Sequence, residues 1–481
     1  LDDAKKLSRR LGNHVQLKRE DSLPVHSFKL RGAYNCIAHL DEAAQGAGVI
    51  AASAGNHAQG VAYSARHLGI SARIVMPRTT PEIKVDAVRE LGADVVLFGN
   101  NFAEAKAHCA ELCAGGRQTF VDAYDDPLVI AGQGTIGQEL VRQSNGRLDA
   151  VFVPVGGGGL IAGIGTYLKR LLPNVRVIGV QPFEADAMYR SLEAGRPVTV
   201  ERVGLFADGV AVCEVGRNTF PIIQDTVDEI IRVSNDEICG AIKEVFDDTR
   251  SIMEPAGALS VAGLRRFVER EAVEGKNLIA ILSGANMNFD RLRFVAERAE
   301  LGEDREMILA VTVPERPGAF REFCKAIGHR AITEFNYRLS DRNDAHIFVG
   351  VGTKSKDDAE ELVQELRAQG YDAADLSENE MAKLHVRHMV GGRTGRVENE
   401  FPCRFEFPQL PGALPEFLDK LGDRWNISLF HYRNHGADFG RVLAAFEVPD
   451  TEREDFKRFL DTVGYPYRLE RDNVAYGLFL A

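Results

Sequence analysis

The chain is poor in cysteine, in long apolar runs and in blocks of like charge, and each shortage removes a class of function. Its seven cysteines, Cys36, Cys109, Cys113, Cys213, Cys239, Cys324 and Cys403, are odd in number and never spaced Cys-x-x-Cys. Such a set argues against a disulfide scaffold and suits a reducing compartment. Cys109 and Cys113 lie four apart on one helical face, but no second ligand pair follows, so both read as packing residues and no metal site is expected. No uninterrupted apolar run approaches a membrane span, and Leu1-Asp2-Asp3-Ala4-Lys5-Lys6 lacks a signal-peptide core. The 58 basic and 70 acidic residues are dispersed, giving a net charge of -12 with no basic run to neutralise a phosphate backbone. The expectation is a soluble protein with neither a nucleic-acid nor a membrane partner. Its first residue is Leu1 in place of methionine, so a preceding segment is expected to have been cleaved or left out.

What is present is an ordinary globular balance, 45% hydrophobic and 27% charged over 481 residues, enough for two to four domains. From Gly48 the pattern alternates between short apolar runs and helical spacing. Runs at 48–52, Ala72 to Met76 and Asp94 to Phe98 are separated by helical stretches at 55–68 and from Pro81, and another begins at Phe102. Thr80 reads as a helix cap with Pro81 at the first helical position, while Gly69 and Gly92 stand where helices should stop. A second wave runs through Ala150 to Val155, Val175 to Val180 and Asn277 to Leu282. Helices between strands predict a mainly parallel, helix-covered α/β arrangement.

After about residue 295 the grammar changes. Residues 311–338 align with 405–433: Val313-Pro314 and Arg316-Pro317-Gly318-Ala319-Phe320 answer Phe407-Pro408 and Leu410-Pro411-Gly412-Ala413-Leu414. After a one-residue shift, Phe335-Asn336-Tyr337-Arg338 answers Phe430-His431-Tyr432-Arg433. This is an internal duplication. Phe320, Phe323, Cys324 and Ile327, like Leu414, Phe417, Leu418 and Leu421, keep the spacing of a helix with one buried stripe. With flanking strand-like runs at Ile347 to Val351 and Val442 to Phe446, each copy reads as βαββαβ, a ferredoxin-like module. Gly391-Gly392-Arg393-Thr394-Gly395 reads as the loop between them. The expected division is 1–295 for the first domain, with a small subdomain at roughly 46–130. A connector at 296–307, a module at 308–384, a linker at 385–402 and a second module at 403–481 follow.

Three turns carry the candidate chemistry. Ser27-Phe28-Lys29-Leu30-Arg31-Gly32 holds a lysine whose amine attacks an aldehyde only when deprotonated, so burial or a cationic neighbour such as Arg31 is expected to depress its pKa. A lone lysine is far more often a surface residue. The glycines Gly156, Gly157, Gly158 and Gly159 follow a strand and precede Leu160 and a helix, where bare amides can wrap a phosphate. The G-x-G-x-x-G dinucleotide spacing fits poorly, and no acidic residue stands where a ribose would need one. Ser53-Ala54-Gly55-Asn56-His57 forms another strand-to-helix turn whose amides suit a substrate carboxylate, while Asn56 can donate to a phenolate oxygen. The bland reading there is an ordinary helix cap. Ser283, closing the last strand of this region in Ser283-Gly284-Ala285-Asn286, can face a pyridine nitrogen and leave it unprotonated, which favours elimination over transamination. A lysine, a phosphate cradle and a polar loop together point to pyridoxal phosphate.

The series Ser27 to Ala33, Ser53-Ala54-Gly55-Asn56-His57-Ala58-Gln59-Gly60, Gly156 to Leu160 and Ser283 to Asn286 resembles the threonine and serine dehydratase family. The tail resembles the paired ACT-like regulatory modules of its biosynthetic threonine-deaminating branch, Glu334 to Arg338 and Ile427 to Arg433 adding to the likeness. That resemblance implies the tryptophan-synthase-β type of pyridoxal phosphate fold (fold type II), two subdomains with parallel sheets. It implies Lys29 as the lysine bonded to the cofactor, Phe28 against its ring and Asn56 on its ring oxygen. Gly156 to Gly159 with Leu160 would take the phosphate and Ser283 the pyridine nitrogen. Ser53, Ala54, Gly55, Asn56 and His57 would hold the substrate carboxylate. It further implies deamination of L-threonine, and also of L-serine, under inhibition by isoleucine opposed by valine. A homotetramer in the cytosol or plastid stroma is implied as well. Members with a cation site make Asp208 a weak candidate ligand, although an aspartate before glycine is usually a turn. Pro317-Gly318 and Pro411-Gly412 are expected to help form effector pockets. The rivals are a serine-specific or β-replacing enzyme of the same fold and a sensor that has lost its chemistry.

Overall fold

A computed structural model describes the chain apart from residues 117, 303–304, 315–318, 329, 331, 338–343, 389–398, 409–415, 418–419, 422–423, 434–438 and 481. Two compact units divide it, Leu1–Ala299 and Glu300–Ala481.

The first unit is built on two sheets. Strands β1 (Asp2–Asp3), β2 (His14–Arg19), β3 (Val49–Ala52), β4 (Ala72–Met76), β5 (Asp94–Leu97), β6 (Thr119–Phe120), β7 (Ala150–Pro154), β8 (Arg176–Pro182), β9 (Glu229–Val233) and β10 (Asn277–Leu282) alternate with helices. The larger sheet runs β1-β2-β10-β7-β8-β9 and the smaller β5-β4-β3-β6. Every pairing is parallel except that of β1 with β2. Both faces of a parallel sheet are covered by helices, so its strands read as continuous apolar runs. Val49 to Ala52 and Ala150 to Pro154 are accordingly buried at every residue. Ala33, Cys36 and Ile37 of the helix Lys29–Ala38 belong to the same core as Val49, Ala51 and Ile74, so the helix that starts at Lys29 packs on the small sheet. An antiparallel bridge between Ser27 and Gly284 ties the head of that helix to the end of β10 in the large sheet.

One helix start differs from expectation. The helix spans Glu82–Glu90, and Pro81 stands before it with extended backbone, ψ 138°. Its carbonyl takes the N–H groups of Lys84 and Val85, while the Thr80 hydroxyl caps nothing. Gly69 ends its helix with φ +73° and Gly92 follows Leu91 with φ +92°, conformations a side chain would strain. Cys109 is buried and Cys113 half-buried, its thiol donating to the Gln118 carbonyl.

In the second unit β11 (Glu306–Pro314), β12 (Ile332–Tyr337), β13 (Asp344–Gly352) and β14 (Asp372–Asp375) form an antiparallel sheet in the order β12-β13-β11-β14. β15 (Glu400–Pro408), β16 (Asn426–Arg433), β17 (Phe439–Glu447) and β18 (Tyr467–Leu469) repeat that order. The register slips between Ile332 and Glu334 in one copy and between Ile427 and Leu429 in the other. A bulge kept at matching places is what a duplication leaves behind. Phe323 and Ile327 pack on the first sheet, Phe417 and Leu421 on the second. The opposite sheet faces meet in a shared core that includes Ile308, Phe348, Leu443 and Tyr476. Beyond the expected alignment, each copy adds a final helix, Glu380–Leu384 and Val474–Phe479, capped by Asn379 and Asn473, and these two caps hydrogen-bond at 3.1 Å. Pro317-Gly318, Pro411-Gly412 and the glycine-rich segment 391–395 lie outside the described residues. The stretch read as a connector contains the end of the helix Arg291–Gly302.

Candidate active site

Parallel strands deliver their following turns to one edge of each sheet, and the candidate residues stand at those edges of the two sheets. Ser53 follows β3, Gly156 comes after β7 and Val155, and Ser283 follows β10. Lys29 reaches the same edge because its segment is held by the end of β10: Phe28 N–H donates to the Ser283 carbonyl at 3.1 Å, and the Ser27 hydroxyl to that carbonyl at 3.3 Å. Gly60 lets the next helix approach, since a Cβ there would come within 3.2 Å of the Lys29 backbone.

The Lys29 amine donates to the Ala123 carbonyl at 2.8 Å and lies 5.3 Å from the centre of the Phe28 ring. Although the residue as a whole is only half-buried, burial of its amine lowers the pKa to about 8, against the upward pull of Asp122 and Glu254. Arg31 is not the neighbour that does this. Its guanidinium points into an ion network with Glu20 and Glu139, which Lys18 joins, so its charge is already matched.

The glycine run is shaped by what surrounds it. A Cβ on Gly157 would sit 2.3 Å from the Tyr124 ring, one on Gly159 2.7 Å from the Tyr124 carbonyl and one on Gly156 3.0 Å from Val210. Gly158 has φ +102°. The Thr219 hydroxyl and the Gly216 N–H both donate to the Gly157 carbonyl, at 2.6 and 3.1 Å, and fix the loop from that side. Leu160 lies in the first turn of the helix Gly159–Leu171, whose N-terminus no side chain caps. Its leading amides are therefore available to an anion. A side chain at any of these four positions would crowd its neighbours or strain the backbone, so the loop stays bare and its amides are uncovered.

The turn Ser53 to His57 opens the helix Asn56–Leu68, also without a side-chain cap. Ser53 Oγ accepts the Gly55 N–H at 3.3 Å, and a Cβ on Gly55 would meet nothing within 4 Å, so Gly55 borders open space. The His57 ring faces inward, Nε2 against the Val121 carbonyl at 2.9 Å; burial and the Lys29 charge lower its pKa to about 4. A neutral His57 can serve the turn only through its backbone. Asn56 donates to Glu254 Oε1 at 2.6 Å and accepts from Asn286 at 2.7 Å. Ser283 is buried, its hydroxyl donating to the Ala256 carbonyl at 3.1 Å.

Sequence reasoning passed over several residues of this edge. The segment after β6 supplies Ala123, whose carbonyl holds Lys29, and Tyr124, which covers the glycines. It also supplies Asp125, whose carboxylate accepts the N–H groups of Arg217, Asn218 and Thr219. Glu254 is 5% exposed, and burial reinforced by Asp208 raises its pKa to about 7 against Asn56, Lys84 and Arg291. Asp208 itself is ion-paired with Lys84 at 2.9 Å and Arg291 at 3.6 Å. Burial works to raise its pKa, but those two cations prevail and hold it below the usual carboxylate range. Among the described residues, no group of three His, Cys, Asp or Glu side chains could hold a metal ion. Neither the turn at Asp122-Ala123-Tyr124-Asp125-Asp126-Pro127 nor Glu254 belongs to a motif that the sequence reading singled out.

Residues 1–284 match the family model of pyridoxal-phosphate dependent enzymes. Residues 297–386 and 391–480 each match that of the C-terminal regulatory domain of threonine dehydratase. The biosynthetic L-threonine dehydratase IlvA of Pasteurella multocida is 52% identical over 481 residues, covering 100% of this chain and 94% of its own. Among solved structures, the processed form of threonine deaminase isoform 2 from Solanum lycopersicum superposes with a TM-score of 0.61 at 50% identity. It covers 62% of this chain and 86% of its own. Maize serine racemase gives 0.58 at 30% identity over 61% of this chain and 90% of its own.

Proposed function

Because the chain belongs to the pyridoxal-phosphate-dependent threonine dehydratase family, we propose that it deaminates L-threonine to 2-oxobutanoate and ammonia under isoleucine control. The observation that carries the reading is the Lys29 amine, buried with its pKa lowered to about 8 and held by the Ala123 carbonyl, next to the Tyr124 that packs on the glycine run. Pyridoxal phosphate supplies an aldehyde for that amine and an electron sink for the substrate Cα. The chain's residues would do the rest. Gly156, Gly157, Gly158, Gly159 and Leu160 would hold the phosphate, Phe28 the ring face, Asn56 the ring oxygen and Ser283 the pyridine nitrogen. A neutral serine there leaves the ring a weaker acceptor than a carboxylate would, which suits loss of a β-hydroxyl. Ser53, Ala54, Gly55 and the backbone of Asn56 and His57 would orient the substrate carboxylate at an uncapped helix end. The Lys29 amine would serve as the base for the Cα proton, and a pKa near the working pH is what such a base needs.

L-Serine, lacking only the γ-methyl group, is proposed as a second substrate. Isoleucine as inhibitor, valine as its opponent, a homotetrameric assembly and a location in the bacterial cytosol or plastid stroma belong to the same proposal. So does a division in which the first unit is catalytic and the two modules of the second regulate it. The test is 2-oxobutanoate release from L-threonine by the cofactor-loaded protein, titrated with isoleucine. Release that isoleucine suppresses is expected; no release from protein that has bound the cofactor covalently would redirect the reading to another amino-acid substrate.

A further inference from the structure

We propose that Glu254 is a positioning residue for the cofactor, dictating which end of the Asn56 side-chain amide meets the ring oxygen. This rests on the reading of Asn56 given above. Asn286 uses its amide nitrogen twice, to the Val25 carbonyl at 2.8 Å and to Asn56 Oδ1 at 2.7 Å, so it is fixed as a donor. Asn56 is thereby held by its oxygen on one side, and its nitrogen donates to Glu254 Oε1 at 2.6 Å on the other. A side-chain amide has two N–H groups. One is spent on Glu254, and the second is the donor left for a phenolate.

The strength of this constraint depends on whether Glu254 carries a proton. An ionised carboxylate only accepts, so a flipped Asn56 would set its carbonyl against a negative charge; a protonated one can donate to that carbonyl and tolerates the flip. The site is built around the carboxyl. A Cβ on Gly284 would lie 2.6 Å from Oε1, and one on Gly209 3.5 Å from it. The charged groups around it come from several elements. Asp208 opens the turn Asp208–Val210 and is ion-paired with Lys84 of the helix Glu82–Glu90 and Arg291 at the head of Arg291–Gly302. Lys29 of the helix Lys29–Ala38 feels the Glu254 charge. Burial and Asp208 outweigh Asn56, Lys84 and Arg291, which puts the change of protonation near pH 7. Above that pH Glu254 and Asn286 together enforce the donor orientation of Asn56, and below it Asn286 holds that orientation alone and the constraint weakens.

The test uses the holoenzyme: visible absorbance of bound pyridoxal phosphate through the region of pH 7, and the cofactor dissociation constant. The wild type should show a spectral change centred near pH 7. Glu254→Gln, which still accepts the Asn56 N–H, should bind the cofactor within about threefold of wild type and lose that change. Glu254→Ala should bind about tenfold more weakly. The proposal is overturned by a flat wild-type spectrum, by a Gln variant that keeps the change, or by an Ala variant with wild-type affinity and spectrum. Failure of the wild type to take up the cofactor would instead remove the assignment of the site itself.

Discussion

At the scale of single residues the site turns on where a proton sits. Lys29 is charged below about pH 8 and neutral above it, because burial disfavours the ammonium form. Only the neutral amine attacks an aldehyde, so covalent capture of pyridoxal phosphate by the apoprotein should accelerate as pH rises and level off above pH 8. Stopped-flow absorbance would follow it. Asp122 pulls the pKa upward, so Asp122→Asn, which keeps an oxygen for the turn N–H groups of Tyr124 and Asp125, should move the midpoint lower. A midpoint that stays put would show that Asp122 does not oppose the effect of burial. Lys29→Ala should abolish both capture and turnover. The sequence made Lys29 conspicuous and offered two reasons for a lowered pKa, burial and a cationic neighbour, of which burial is the one that acts. Arg31, two positions on, was the natural cation to invoke, and the fold turns it toward Glu20 and Glu139 instead. Glu254 was illegible for a related reason: it lies far along the chain from Asn56, and the two meet only in the fold, where the Glu254 N–H donates to the Gly284 carbonyl just after β10.

At the scale of elements, two devices position these side chains. The first is the glycine cradle pressed against Tyr124. Gly157→Ala would push a methyl group into the ring 2.3 Å away and displace the segment whose Ala123 carbonyl holds Lys29. Overpacking of this kind costs about 1–3 kcal/mol, so cofactor affinity should fall about tenfold or more. Gly46→Ala, where the methyl meets nothing within 4 Å, is the control in an equilibrium binding measurement. The second device is the network of Lys18, Glu20, Arg31 and Glu139, which joins β2 to the helices Lys29–Ala38 and Pro127–Gln143. Glu20 is fully buried. Removing a partner from a buried charge costs about 3–5 kcal/mol, and Lys18 at 3.4 Å softens the loss, so Arg31→Ala should lower stability by about 3 kcal/mol in urea unfolding. The β-α alternation behind both devices was readable, since apolar runs and helical spacing are local signals. The Tyr124 segment was not, because its role exists only where the ends of β6 and β7 converge.

At the scale of the whole molecule, the regulatory proposal makes a thermodynamic demand that local geometry does not. If isoleucine on the second unit weakens threonine binding on the first, threonine must weaken isoleucine binding by the same factor, since the coupling is a property of the cycle. Typical couplings of 1–3 kcal/mol correspond to about 5–150-fold, well within calorimetric reach. Isoleucine titrated into holoenzyme with and without a non-eliminating threonine analogue should therefore give two dissociation constants whose ratio matches the shift in analogue affinity. The duplication places two modules of one topology around one shared core. It was legible as repeated Pro-Gly turns and helical stripes, while the final helices and the meeting of Asn379 with Asn473 went unnoticed, each cap being a single polar residue without a periodic pattern. The first unit carries its own cores, and a chain 1–299 should keep basal 2-oxobutanoate release while losing every response to isoleucine. Equal isoleucine affinity with and without the analogue, in protein that turns over threonine, would leave the modules as assembly elements and separate the regulatory proposal from the catalytic one.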